Sequence, residues 1–251
     1  MSTKTPTPCA PPRFAPCSHE NIGWATIEGP IGIGKSTFFK QVIEHAKING
    51  VQIVVVDEPV DKWLASGAIE AFYLNIPAEA ARFQHYTFST RIGTFCDAYD
   101  KALDLLETTT CDAVLLVSER SWYTDRYIFK NTLTEAGMIT PLQSRMYDEQ
   151  FDALAKAVGK RMPDLVLLLD IPKDKILPET LRRITQRARP GETVSEANQQ
   201  KLIAAHDKVY GSGKFLEKAP VVKVDITLDY SLPANAAAAQ AVVSKLAALF
   251  E

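Results

Sequence analysis

The chain predicts an α/β fold in which a parallel sheet of about five strands is covered by helices on both faces. Three observations carry this. Short runs at Val51–Val56, Ala113–Val117 and Asp164–Asp170 have the aliphatic composition of strands buried on both faces. They alternate with longer segments whose apolar residues recur at helical spacing, the pattern of strands joined by crossover helices. Between the first strand-like and the first helix-like segment lies a G-x-x-x-x-G-K-S loop, Gly29–Ser36.

Trp24–Glu28, short and half apolar, is the first strand, and Phe38–Lys47 is the helix after the loop. Val51–Val56 is the second strand. A long helix follows from about Ala78 to Glu107, with Phe83, Tyr86, Phe88, Ile92, Phe95 and Leu103 at helical spacings. Ala113–Val117 is the third strand. Helices over Trp122–Leu133, stopped near Gly137, and over Pro141–Lys160 lead to the fourth, Asp164–Asp170. Helices over Pro178–Arg187 and Ser195–Tyr210 flank a loop at Arg189-Pro190-Gly191. Val221–Asp225 is the fifth strand, and the alanine-rich Asn235–Leu249 closes the chain as a helix. Residues 1–21, whose first twenty are rich in Pro, Ser and Thr, read as a disordered tail, and 22–251 as one domain without internal repeats.

The 251 residues are 46% hydrophobic and 23% charged, enough for one large core without disulfide or metal staples. A net charge of −2 gives no electrostatic case for a nucleic-acid polymer or an anionic membrane as partner. No apolar run approaches a membrane span. Cys9, Cys17, Cys96 and Cys111 lack C-x-x-C spacing and fit four unpaired thiols in a reducing compartment. Cytosol is the expected location. A mitochondrial leader fits less well, because Lys4 and Arg13 are the only basic residues of the tail. His19, His45, His85 and His206 show no ligand spacing, and none is assigned chemistry.

The loop comprises Gly29, Pro30, Ile31, Gly32, Ile33, Gly34, Lys35, Ser36 and Thr37. Its glycines allow consecutive backbone N–H groups to turn inward around phosphates, and the following helix adds its positive end. Lys35 is placed to reach the β- and γ-phosphates of a nucleoside triphosphate, and Ser36 to hold Mg²⁺. In a parallel sheet ligands bind beyond the carboxyl ends of the strands, so the residues just after each strand matter most. Glu58 follows the second strand and is held extended by Pro59. Beside a γ-phosphate it can accept a substrate hydroxyl proton; otherwise it is a solvated strand-end carboxylate. Glu119 and Arg120 end the third strand, suited to Mg²⁺ and a transferring phosphoryl group, or to a surface ion pair. Arg182, Arg183, Arg187 and Arg189 form either an exposed helix face or a segment that closes over the phosphates.

Several motifs then coincide. The loop Gly29–Thr37, Asp57-Glu58-Pro59-Val60 with Trp63, Phe83-Gln84, Arg91, the Glu119–Phe129 segment E-R-S-W-Y-T-D-R-Y-I-F and the arginine stretch together resemble the deoxynucleoside kinases. The likeness is to the family of deoxycytidine, deoxyguanosine and insect deoxynucleoside kinases, and spans Trp24 to Tyr210. It implies a P-loop kinase fold with an arginine-rich lid, an ATP-like phosphate donor and Mg²⁺. It also implies a homodimer formed through helices. By the resemblance, Glu58 is the base that takes the 5′-hydroxyl proton, Arg120 holds the 5′ oxygen and phosphate, and Glu119 joins Ser36 at Mg²⁺. Gln84 reads the base edge, and Trp63, Phe83 and Phe129 wall the base. Tyr73 and Glu192 contact the 3′-hydroxyl, and Arg183, Arg187 and Arg189 grip phosphates. Aromatic faces and an amide suit a flat base with a polar edge, although an aromatic alone is more often core.

Arg91 and Asp125 match a pair that in the family lies beside the base and accompanies preference for deoxycytidine or purine deoxynucleosides over thymidine. Thr87 and Phe88 replace smaller residues in parts of the family and are expected to narrow the pocket. Two other readings remain: a thymidylate-like nucleoside monophosphate kinase, and a nucleotide-binding regulatory subunit without activity. The first needs an arginine for the acceptor's phosphate where this chain has Asp57-Glu58-Pro59.

Overall fold

The computed structural model describes residues 19–159 and 161–251. Its sheet has six strands: β1 Ile22–Glu28, β2 Val51–Val56, β3 Ala113–Glu119, β4 Leu165–Asp170, β5 Lys214–Phe215 and β6 Ala219–Asp225. They lie in the order β2-β3-β1-β4-β6-β5, parallel except for β5 against β6. Strands β1 to β4 and β6 run where the aliphatic segments predict. The extra one, β5, is two residues long at the sheet edge, too short to leave any alternation in the sequence.

The helices are α1 Lys35–Phe38, α2 Val60–Ala65, α3 Ala68–Leu74, α4 Ile76–Thr108, α5 Trp122–Thr124, α6 Asn131–Glu135, α7 Pro141–Ala157, α8 Lys173–Arg187, α9 Glu196–Tyr210 and α10 Ala236–Ala247. Helix α1 continues as a π-helix over Phe39–Ile43 and stops there, short of the expected Lys47. A second π-helix, Asp125–Lys130, joins α5 to α6 within the expected Trp122–Leu133 helix. The short helices α2 and α3 had no periodic signal long enough to predict them. Of the expected tail, residues 1–18 lie outside the described residues, as do Cys9, Cys17 and Lys160, the last residue of the expected Pro141–Lys160 helix. No disulfide occurs among the described residues, and none of their helices is long and apolar enough to cross a membrane.

Strand β1 is buried along its whole length because β3 and β4 pair with it on either side and helices cover both faces. Its alternating side chains divide the core. Trp24 points with Val114, Leu116, Phe95 and Trp122 into an aromatic layer under α4, α7 and α9. Ala25 and Ile27 point with Leu115, Val117, Leu167 and Leu246 into an aliphatic layer under α1 and α10. The Trp24 and Trp122 rings stack with centroids 4.5 Å apart, and the Trp24 indole N–H donates to Ser118 Oγ at 2.8 Å. The chain leaves β1 toward β2 on one side and β3 toward β4 on the other. The switch point, where a crevice opens, therefore lies at the carboxyl ends of β1 and β3.

Candidate active site

The phosphate loop occupies this switch point. Gly32 and Gly34 have φ of 78° and 113°, and an added Cβ at Gly32 would fall 2.5 Å from the Thr180 carbonyl. Only glycine allows the loop to sit this close to α8. Two side chains brace the loop from outside: Gln199 Nε2 donates to the Ile31 carbonyl at 2.7 Å, and Arg183 donates to the Ile33 carbonyl. Lys35 is buried, with Nζ 3.4 Å from the Gly29 carbonyl, 3.3 Å from the Pro30 carbonyl and 3.7 Å from Glu119 Oε1. Burial, then the Arg120 charge, lowers its pKa to about 8, while Glu119 and Glu58 oppose them. The free protein therefore loses the Lys35 charge as pH rises through about 8, and a bound triphosphate restores it. kcat/KM for the donor is expected to fall above that pH while kcat persists to higher pH. Profiles that fall together would assign the titration to another group.

Ser36 Oγ donates to Glu119 Oε2 at 3.1 Å. A hydroxyl and a carboxylate side by side are hard oxygen donors, and Mg²⁺ keeps waters and substrate phosphates as its remaining ligands. The pair fits that ion. No group of three or more acidic, His or Cys side chains forms a fuller cage among the described residues.

At the end of β2, Glu58 Oε1 accepts from Arg91 Nη2 at 2.9 Å and lies 3.6 Å from Arg120 Nε. Burial raises the Glu58 carboxyl, but Arg91, then Arg120 and Lys35, outweigh it and hold the pKa at about 2. Arg91 is itself held on three sides. Its Nε donates to Asp125 Oδ2 at 2.8 Å, its Nη1 to the Glu119 carbonyl at 2.9 Å, and its Nη2 also approaches Asp125 Oδ1 at 3.4 Å. The π-helix puts Asp125 and Phe129 on one side. Asp125 meets Arg91, and the Phe129 ring lies 4.9 Å beneath the Arg120 guanidinium carbon. Arg120 adopts φ 65°, a left-handed conformation rare for a non-glycine residue and costing about 1–3 kcal/mol. The turn aims its guanidinium back over the crevice.

Two of Arg120's neighbours escaped the sequence reading. Glu28, fully buried at the end of β1, accepts through Oε1 from the Ser121 N–H at 2.9 Å and Thr124 Oγ1 at 2.6 Å. Its Oε2 lies 3.9 Å from Arg120 Nη1. His206, expected to carry no chemistry, is buried on α9 with Nε2 3.3 Å from Arg120 Nη1. A glutamate closing an apolar strand directly before the phosphate loop was a signal for the first. The second left none, since a helix-face histidine resembles any core histidine.

A cleft lined by Lys35, Glu58, Arg120, Gln84, Trp63 and Phe83 opens beside the loop. Helix α4 supplies Phe83, Gln84 and Arg91 at helical spacing, and α2 supplies Trp63, whose indole N–H donates to Thr90 Oγ1 at 2.8 Å. Phe83 stacks on Phe72 at 4.6 Å and meets Trp63 edge-on at 6.2 Å. Gln84 is buried, and its Oε1 has no hydrogen-bond partner among the described residues. A buried amide oxygen left unpaired beside an open cleft is the mark of a site awaiting a donor. Tyr73 and Glu192 meet at the mouth, where burial and then the Glu192 charge raise the tyrosine pKa.

The arginines divide between two sides of the loop, and one expectation needs correction. Arg187 and Arg189 line this cleft together with Gly32 and Lys35 of the loop, and both pair with Glu192, Arg189 Nη1 at 3.6 Å from Oε1. Arg187 is the last residue of α8, and the left-handed Ala188 that ends the helix redirects the chain at Arg189. Arg183 is on the opposite side, bound to Glu179 Oε1 at 2.7 Å and to the loop. Phe88 does not narrow the pocket: it is core, stacked on Phe151 at 5.1 Å, whereas Thr87 does line the cleft.

A family model for deoxynucleoside kinase matches residues 25–250. Among named relatives, a "Probable deoxycytidine kinase" of fowlpox virus is 28% identical over 201 residues, covering 78% of this chain and 74% of the relative. Rattus norvegicus deoxycytidine kinase is 25% identical over 234 residues, 82% of this chain and 84% of the relative. The thymidine kinase of Ictalurid herpesvirus 1 is 28% identical over 185 residues, 72% and 69% respectively. With that match running from β1 to α10, the chain belongs to the deoxynucleoside kinase family and is a phosphotransferase.

Proposed function

We propose that the protein transfers the γ-phosphoryl group of ATP, or another nucleoside triphosphate, to the 5′-hydroxyl of a deoxynucleoside. The observation that carries this is one cleft whose lining joins Lys35 of the phosphate loop, Glu58 and a Gln84 amide oxygen without a partner among the described residues. The base lies against Trp63, Phe83 and Phe129 with its edge on Gln84, and its sugar reaches Tyr73 and Glu192. A second cleft opens on the other side of the loop between Gly34, Thr37, Arg183 and residues 226–230. The donor's base leaves by that route, so the triphosphate crosses the loop between the two clefts.

Glu58 is a weak base with a pKa of about 2, so its task is chiefly to accept the 5′-hydroxyl hydrogen bond and aim the oxygen. The proton passes to it late, once bond formation to phosphorus has made the hydroxyl acidic. Arg120 and Lys35 supply positive charge where the transferring group passes. Mg²⁺ held by Ser36 and Glu119 would neutralise the β- and γ-phosphate oxygens. A monophosphate acceptor fits poorly, because Arg91 and Arg120 are already committed to Glu58 and the carboxylate would face the acceptor's phosphate.

Arg91 and Asp125 form an ion pair in the lining of this cleft, and the family likeness of that pair supports deoxycytidine or purine deoxynucleosides over thymidine. Measured across the four deoxynucleosides with ATP and one other donor, kcat/KM is expected to be at least about tenfold lower for thymidine. Thymidine as the best acceptor would overturn the specificity reading and leave the kinase reading standing. A helix-mediated homodimer belongs to the proposal. The apolar residues of α4 are spent on the core, but Leu142 and Met146, one turn apart on α7, are more than half exposed. Sedimentation as a monomer at micromolar concentration would refute it.

A further inference from the structure

Arg120 presents a positioning problem that its contacts to Glu58 do not solve. Its backbone is left-handed, its guanidinium is buried, and Lys35 and Arg91 are nearby cations. Left to these forces the guanidinium would swing from the crevice. On its far side stand Glu28, with Oε2 at 3.9 Å from Nη1, and His206, with Nε2 at 3.3 Å from the same nitrogen. His206 Nδ1 is 2.7 Å from the Leu202 carbonyl. A carbonyl only accepts, so Nδ1 carries the proton; a guanidinium only donates, so Nε2 offers a lone pair. Burial and the Arg120 charge hold the ring neutral against the Leu202 and Gly29 carbonyls, which favour a ring proton, and the 2.7 Å contact to Leu202 places the remaining proton on Nδ1. Seven residues earlier on the same face of α9, Gln199 holds the Ile31 carbonyl of the phosphate loop.

We propose that His206 is a positioning residue for phosphoryl transfer. Its Nε2 lone pair, locked by the bond to Leu202, holds the Arg120 guanidinium beside Glu58 and over the path of the transferred group. Buried Glu28 supplies the counter-charge behind it. Helix α9 thus sets both the phosphate loop, through Gln199, and the arginine facing it, through His206. The proposal rests on the kinase reading given above.

The test compares two replacements of similar size and polarity. His206→Gln puts an amide oxygen near the position of Nε2, whereas His206→Asn keeps a group near Nδ1 and leaves Arg120 Nη1 without its acceptor. The Gln variant is expected to keep kcat within about fivefold of the parent and the Asn variant to lose about 100-fold, with nucleoside Kd little changed in either. In an Arg120→Lys background, which has already lost the guanidinium, the Asn replacement is expected to cost nothing further. Equal losses in both variants, equal retention in both, or the same loss in the Arg120→Lys background would overturn the proposal and assign His206 to packing. If the parent itself phosphorylates no deoxynucleoside, the kinase reading fails instead.

Discussion

Replacing Glu58 by Gln is expected to lower kcat by about three orders of magnitude, the scale of a lost general base that also aims the nucleophile. The nucleoside should still bind measurably, because the aromatic walls, Gln84 and the mouth residues are untouched, and quenching of Trp63 fluorescence reads that binding. Glu58 owes its charge to Arg91 and Arg120, which overcome burial to hold the pKa at about 2. A carboxylate depressed in this way adds stability that is fully present above its unfolded value and is lost as pH falls through about 2. It therefore remains ionised wherever the protein works and contributes no acid limb to the rate profile near neutrality. Turnover of the Gln variant within about tenfold of the parent would remove Glu58 from the chemistry.

The largest effect on stability is expected at Arg91. Its side chain and that of Asp125 are both almost wholly buried and meet through two nitrogen–oxygen contacts, at 2.8 and 3.4 Å. Removing one partner of such a pair leaves a buried charge without compensation, at a cost of about 3–5 kcal/mol. Arg91→Met is therefore expected to lower Tm by about 6–20 °C for a chain of this size. The double replacement Arg91→Met, Asp125→Asn should recover more than half of that loss, because the stranded charge is gone. It should not recover activity, since Glu58 still lacks the 2.9 Å bond that orients it. A single variant within about 1 kcal/mol of the parent would show that water reaches Asp125 and that the pair is structurally idle.

What the sequence revealed was chemistry carried by neighbours in the chain. The phosphate loop, Glu58 before its proline and Glu119-Arg120 each sit just past an aliphatic run, so the strand ends alone brought them together. Periodicity marked the helix that carries Gln84 and Arg91, seven residues apart, but only the family resemblance singled out those two residues. What stayed hidden depends on backbone events that leave little pattern. Helices α2 and α3 are six and seven residues long, yet carry Trp63 and Tyr73 to the cleft. The left-handed Ala188 ends α8 after Arg187 and sends Arg189 off the helix, a break that helical spacing does not reveal. The left-handed Arg120 likewise brings its side chain to His206, 86 residues away, a meeting no local spacing encodes.

The central claim is that the acceptor is a nucleoside hydroxyl. The direct measurement supplies ATP labelled at the γ-phosphate, with Mg²⁺, and offers deoxycytidine, deoxyadenosine and deoxyguanosine in one set of reactions and their 5′-monophosphates in another. Label is expected on the nucleosides, as 5′-monophosphates, with transfer to the monophosphates far slower. Label on the monophosphates alone, or tight binding of the triphosphate with no transfer to any nucleoside, would contradict the account.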